Sequence, residues 1–182
     1  RIALARLLLG APRLLLLDEP FSNLDRGHKH VLQAVLHDIG QELGITFLLV
    51  SHDPPDLLSW AEELLVLRAG QLVQQGPPAE VYRRPADEYT AGLLGDYNLL
   101  TGDLARQLAP PPAGRRASRL LLRPESVLLT APEAGVAGTV EAVRFFGSYA
   151  EVDVAVQNTR LRARTSPETP AVGAAVGVAA AP

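Results

Sequence analysis

The chain has 182 residues, 47% of them hydrophobic and 20% charged, with a formal net charge of −3. That is one to two domains' worth of length and enough apolar material for a packed core, which argues against global disorder. The balance lacks the basic surplus of a nucleic-acid binder, no apolar run approaches the roughly 20 residues of a membrane span, and the absence of cysteine excludes disulfides, thiolate metal sites and cysteine nucleophiles.

No charged-then-apolar leader opens the chain. It starts at Arg1 and contains no methionine, so a piece of a longer protein or an unusual start is expected. The cationic residues are arginines except for one, Lys29. Such a bias fits genome composition, and single exposed arginines carry little functional weight.

The first half alternates strand and helix. Leu14–Leu17 is an apolar run ended by Asp18-Glu19-Pro20, which predicts a strand buried on both faces. After a turn at Phe21–Leu24, Asp25 is a good N-cap for a helix to about Leu43. Val31, Leu32, Val35, Leu36 and Ile39 form its apolar stripe, and Gly44 stops it. A second strand, Thr46–Val50, ends at Ser51-His52-Asp53. Strand, helix, strand at this spacing is a βαβ unit with parallel strands.

Next come a hairpin, Leu64–Leu67 and Leu72–Gln75 around Ala69-Gly70, and two short helices, one from Pro78 and one over 86–94. Beyond Gly95 the texture changes. Ala109–Gly114 reads as a stiff exposed loop. Strand patterns follow at Leu120–Leu122, Val127–Leu129 and Thr139–Phe146, with period-two alternation around Val152–Val156 and Arg160–Arg164. These predict a small antiparallel barrel or sandwich and a boundary near 95. The alternating Arg160, Arg162 and Arg164 are expected to form a solvated face opposite Leu161 and Ala163. One of Phe145 and Phe146 is expected in the core, and Trp60 is expected to pack beside the helix after His52.

Ligands of open parallel sheets bind beyond the carboxyl ends of the strands. Here one such end carries Asp18-Glu19 and the other His52. An Asp in that position suits Mg²⁺ held through its water shell. The adjacent Glu19 suits a base that orients or deprotonates a water, and His52 suits a donor to a phosphate. Acidic residues also follow buried strands for purely structural reasons, so the combination carries the reading.

That combination resembles the ATP-binding cassette (ABC) ATPases. Leu14-Leu15-Leu16-Leu17-Asp18-Glu19-Pro20 is similar to their Walker B segment, Ser22-Asn23-Leu24-Asp25 to their D-loop, and Ser51-His52-Asp53 to their switch-histidine loop. Arg1–Arg6 resembles the helix after their LSGGQ signature. Arg123-Pro124-Glu125-Ser126-Val127, Gly138-Thr139-Val140 and Phe145-Phe146-Gly147-Ser148 are similar to the OB-like accessory domain of importer ATPases, with Gly92–Leu100 as the junction into it.

The resemblance implies an α/β fold: part of a P-loop NTPase sheet-and-helix layer over 1–95, then a small all-β OB-like domain over 96–182. It implies ATP and Mg²⁺ as cofactors and assigns Glu19 and His52 to catalysis. Asp18 supports Mg²⁺ through water, and Asp25, Ser22 and Asn23 serve the nucleotide site across a dimer. The implied partners are permease subunits, a second copy of the subunit and, indirectly, an extracytoplasmic solute-binding protein. No nucleic acid is implied, and the location is the cytoplasmic face of the membrane, peripherally. Polyamine, ferric iron, sulfate, molybdate, sugar or a similar solute are the implied cargo classes.

No Gly-x-x-x-x-Gly-Lys-Ser/Thr loop is present to cradle phosphates, nor the glutamine loop or signature. The chain alone is therefore expected neither to bind nor to hydrolyse ATP. Two other readings stay open: a soluble ABC ATPase of DNA repair or translation, and a non-enzymatic regulatory remnant.

Overall fold

The computed structural model describes residues 6, 8, 10, 12–108 and 119–181. Most of the Arg1–Arg6 segment and the Ala109–Gly114 loop lie outside the described residues. The chain divides into two compact units, Arg1–Ala79 and Glu80–Pro182.

In the first unit β1 (Leu14–Asp18) and β2 (Thr46–Val50) pair in parallel, Leu14 opposite Thr46 and Asp18 opposite Val50. Between them runs α1 (Arg26–Leu43), with Asp25 as N-cap and Gly44 closing it in the left-handed conformation at φ 64°. Glycine enters that region without the Cβ penalty. Leu15, Leu17, Phe21, Leu36 and Ile45 form the core, with Leu32, Ile39, Phe47, Leu49 and Trp60 packed around it. α2 (Pro54–Trp60) follows β2, and β3 (Leu64–Arg68) pairs antiparallel with β4 (Gln71–Gly76). Ala69 and Gly70, both at positive φ, make the tight turn such a hairpin needs.

β1 corrects one expectation. Its residues alternate, with Leu15 and Leu17 buried while Leu14 and Leu16 are exposed, the latter at 65%. Leu48 and Val50 on β2 continue the same open face. Among the described residues, the helical layer covers only the other side.

The second unit holds α3 (Pro78–Arg83) from Glu80 onward, α4 (Glu88–Leu94), β5 (Asn98–Thr101), α5 (Gly102–Leu108) and β6 (Arg119–Leu122). β5 pairs with β6. A five-stranded antiparallel sheet of β7 (Val127–Thr130), β8 (Val136–Phe145), β9 (Ala150–Val156), β10 (Thr159–Thr165) and β11 (Ala175–Ala180) has the order β10-β9-β8-β11-β7. β10 also approaches β7, which curls the sheet toward the partly open barrel expected of an OB-like fold. Its core includes Leu100, Leu104, Val140, Val152, Val154, Leu161 and Val178. An α/β layer followed by an all-β domain is the fold class the sequence implies.

The break comes earlier than 95 because Arg123 binds 82–96 to the second unit. Its guanidinium donates to the carbonyls of Tyr82, Ala91, Gly95 and Asp96 at 2.9–3.1 Å and stacks on the Tyr82 ring at 4.1 Å. The Ala91 carbonyl lies in the last turn of α4, where helix acceptors lack partners, and those of Gly95 and Asp96 follow directly after it. β5, α5 and β11 are not read from the sequence. β11 is built of Ala, Val and Gly, poor strand formers apart from Val. A Cβ at Gly177 would meet the Ala131 carbonyl and Thr130 Oγ1, so closeness to its neighbours, not propensity, dictates glycine there.

Neither Phe145 nor Phe146 is in the core. Both are exposed at the β8–β9 turn, where Phe146 stacks on Tyr149 with centroids 5.1 Å apart. The arginines of β10 are not simply solvated either. Arg160 pairs with Glu141, Arg162 with Asp153 and Asp96, and Arg164 with Glu151.

Candidate nucleotide-site edge

Parallel pairing brings the carboxyl ends of β1 and β2 to one edge. The Glu19 N–H donates to the Val50 carbonyl at 2.9 Å, carrying the pairing one residue beyond β1. The backbone of Glu19 then enters the left-handed region at φ 45°, which costs a non-glycine residue about 1–3 kcal/mol. A turn holds it there: the Ser22 N–H and hydroxyl both donate to the Glu19 carbonyl, at 3.2 and 2.8 Å. Buried Phe21 anchors that turn in the core, its ring edge-on to Trp60.

The turn aims the Glu19 carboxylate across to the β2 end. Its Oε1 accepts from the His52 backbone N–H at 2.9 Å and lies 2.6 Å from His52 Nδ1. The Ser51 hydroxyl reaches Oε2 at 3.5 Å. The hydrogen bond from the His52 ring holds Glu19 below the usual carboxylate range. The same bond raises His52 above the usual imidazole value, so the pair favours carboxylate beside imidazolium. With Nδ1 engaged, Nε2 is the ring atom left to donate elsewhere, and the ring is 84% exposed.

Asp18 is exposed on the open sheet face, and no described side chain holds its carboxylate. A free carboxylate fits Mg²⁺, which keeps most of its waters and takes one or two carboxylates together with phosphate. Among the described residues no cluster of three or more histidines and acids forms a cage of protein ligands.

The remaining predicted residues are otherwise occupied. Ser22 closes the turn, and Asn23 supplies its left-handed position at φ 60°, which asparagine tolerates. Asp25 caps α1, accepting from the His28 N–H at 3.0 Å and pairing with the His28 ring. Those bonds, the backbone one foremost, lower its pKa. Trp60 packs against Phe21 and Phe47 and donates to the Gln33 carbonyl. Sequence reasoning missed Ser51's contact with Glu19 and a charged group of Lys29, Asp53 and Asp56. The signal available for the latter was the solitary lysine.

In the second unit a cavity of about 230 Å³ is lined by Asp96, Tyr97, Asn98, Asp153, Arg160 and Arg162. Its charged side chains pair with one another or with Glu141.

Residues 120–182 match the TOBE domain family. The chain is 41% identical over 157 residues to a protein named Fe(3+) ions import ATP-binding protein FbpC 1 of Rhodococcus jostii (strain RHA1), covering 81% of this chain and 45% of that protein. It is 38% identical over 191 residues to one named Fe(3+) ions import ATP-binding protein FbpC of Streptomyces avermitilis, covering 98% of this chain and 55% of that protein. The solved structure of cbiO1 from Clostridium perfringens, described as part of the ABC transporter complex cbiONQ, is similar over 47% of this chain and 34% of its own, with 30% identity and a TM-score of 0.43. The chain spans about half the length of the curated relatives it matches.

Proposed function

We propose that the chain belongs with the ATP-binding subunits of ATP-binding cassette importers, a reading supported by relatives 38–41% identical to it and by the TOBE domain match, and that it carries the hydrolytic edge of their nucleotide site. The observation that carries the reading is the Glu19–His52 hydrogen bond at the shared carboxyl edge of two parallel strands.

Glu19 acts on the attacking water. Its carboxylate is held ionised by His52, so it can orient the water and accept its proton. His52, with Nδ1 on Glu19, offers Nε2 to a γ-phosphoryl oxygen, and its raised pKa favours the donating form. Asp18 would hold Mg²⁺ through water; when bound, Mg²⁺ neutralises phosphate charge. Ser22 and Asn23 shape the loop that carries Asp25 toward a second copy of the subunit, so that two nucleotides are shared by two chains.

In this reading the working protein is an ATPase subunit attached to permease subunits at the cytoplasmic face of the membrane and served by an extracytoplasmic solute-binding protein. The cargo is ferric iron, supported by the names of relatives 38–41% identical to this chain. No described helix is long and apolar enough to cross a membrane, which suits a peripheral subunit.

The test is Glu19→Gln in the intact subunit. Loss of general-base action lowers kcat by about 10²–10⁴ while ATP binding persists. Turnover within a few-fold of the parent overturns the assignment.

A further inference from the structure

The helix capped by Asp25 and the loop carrying His52 are joined by charge. One turn into α1, Lys29 Nζ donates to Asp53 Oδ2 at 2.8 Å and lies 2.9 Å from Asp56 Oδ1. Asp56 is 3% exposed. Gln33, one turn further along α1, donates to the same Asp56 oxygen at 3.4 Å, and its own carbonyl accepts from Trp60 Nε1 at 3.2 Å. On the other side, the Asp53 N–H donates to Ser51 Oγ at 3.1 Å, and Ser51 Oγ reaches Glu19. His52 stands between these two residues in sequence.

A buried carboxylate such as Asp56 is tolerated only when paired and hydrogen-bonded. Lys29 supplies that pairing and, with the same ammonium, holds Asp53 beside His52. The loop therefore cannot shift without moving Lys29 or leaving a carboxylate uncompensated. Among the described residues no hydrogen bond or ion pair joins Lys29 to Glu19 or His52, so its effect on them passes through the loop and through the charges of Asp53 and Asp56, which also act on His52. A compact ammonium with three donors suits two carboxylates approached from one stem.

We propose that Lys29 is a positioning residue, fixing the His52 loop against the helix that Asp25 caps and so coupling Asp25 to the Glu19–His52 pair. The proposal rests on the nucleotide-site reading above and adds the element that holds the His52 loop in place.

The experiment is steady-state ATP hydrolysis by the intact subunit with its permease, comparing Lys29→Met, Lys29→Arg, His52→Ala and the Lys29→Met/His52→Ala double variant, each with its melting temperature. Small misplacement of a catalytic group costs up to about 100-fold. Lys29→Met is therefore expected to lower kcat by at least ~10-fold with KM for ATP changed less than ~3-fold. Lys29→Arg keeps the charge but not the compact ammonium, so it is expected to fall between Lys29→Met and the parent, retaining at least ~3-fold more kcat than Lys29→Met. In the His52→Ala background the Lys29→Met step is expected to cost less than ~2-fold more, because both act through one group.

A Lys29→Met variant that melts lower yet keeps its kcat per folded molecule makes Lys29 structural only and overturns the proposal. Full multiplication of the two losses in the double variant overturns it as well. If Lys29→Met does not fold, Asp53→Asn removes the more exposed half of the bridge, keeps the Lys29–Asp56 pair, and must show the same kcat loss. Glu19→Gln separates the two failures. If it keeps turnover, the site reading and this proposal fall together; if it abolishes turnover while Lys29→Met does not lower kcat, only the Lys29 role falls.

Discussion

The two units use charge beside a sheet in opposite ways. In the first, ionisable side chains stand at the ends of parallel strands, where Glu19 and His52 bond each other and the imidazole stays open to solvent. In the second they stand along antiparallel strands. Glu151 and Asp153 on β9 are buried beneath the arginines of β8 and β10, with Arg144 bidentate to Asp153 at 2.9 Å. A strand end leaves the core, so its charges remain available to a ligand. A mid-strand charge is covered by its neighbours and must be paired, because leaving one partner alone costs about 3–5 kcal/mol. Position on the strand, rather than residue type, separates a carboxylate left open at a strand end from one covered within the sheet.

The largest expected contrast lies in packing. Leu161 is fully buried in the second unit, and Leu161→Ala should cost about 2–5 kcal/mol in urea unfolding of the 182-residue chain. Leu16→Ala, on the open face of β1, should stay within about 0.5 kcal/mol in the same assay. Equal losses would mean that the open face is covered in solution.

Arg123 comes next. Removing a guanidinium that serves four carbonyls leaves buried acceptors unpaired, at about 1–3 kcal/mol each when fully desolvated. Arg123→Met should destabilise the second unit by roughly 3 kcal/mol and raise hydrogen exchange at 82–96 more than in the five-stranded sheet. Uniform exchange across the unit would show that Arg123 does not tie that segment down.

Asp153 gives the comparison a pH axis. Burial alone would raise its pKa, but hydrogen bonds from Arg144 and Arg162 win and hold it below the ordinary value of 3.8. A depressed folded-state pKa adds stability that is present above the unfolded value and lost as pH falls through the folded one. Acid unfolding of the second unit should therefore lose stability below about pH 4. Asp153→Asn should flatten that part of the curve; an unchanged slope would assign the acid sensitivity elsewhere.

The smallest effect is at Asp25. Its cap on α1 should make Asp25→Ala cost about 1 kcal/mol, with Asp25→Asn nearly neutral. Thermal melts distinguish the two, and a large loss in Asp25→Asn would show that its charge, rather than its cap, stabilises the chain.

Much of the first unit was legible in order. The α1 boundaries were written by Asp25 and Gly44, because caps are local chemistry. The parallel strands and the Ala69-Gly70 hairpin were legible for the same reason: periodicity and turn residues act within a few positions. The second unit was less transparent. β5 and β11 carry weak strand signals and exist because a neighbouring strand supplies their hydrogen bonds.

At the site, the groups that end the two strands, Asp18, Glu19 and His52, could be read along the chain. The folded chain alone brings Glu19 into the left-handed turn that meets His52, and Lys29 against Asp53 and Asp56. It also sets the β10 arginines against buried carboxylates. Local propensities act along the chain, whereas charge pairing acts through space and falls to residues that sequence distance keeps apart.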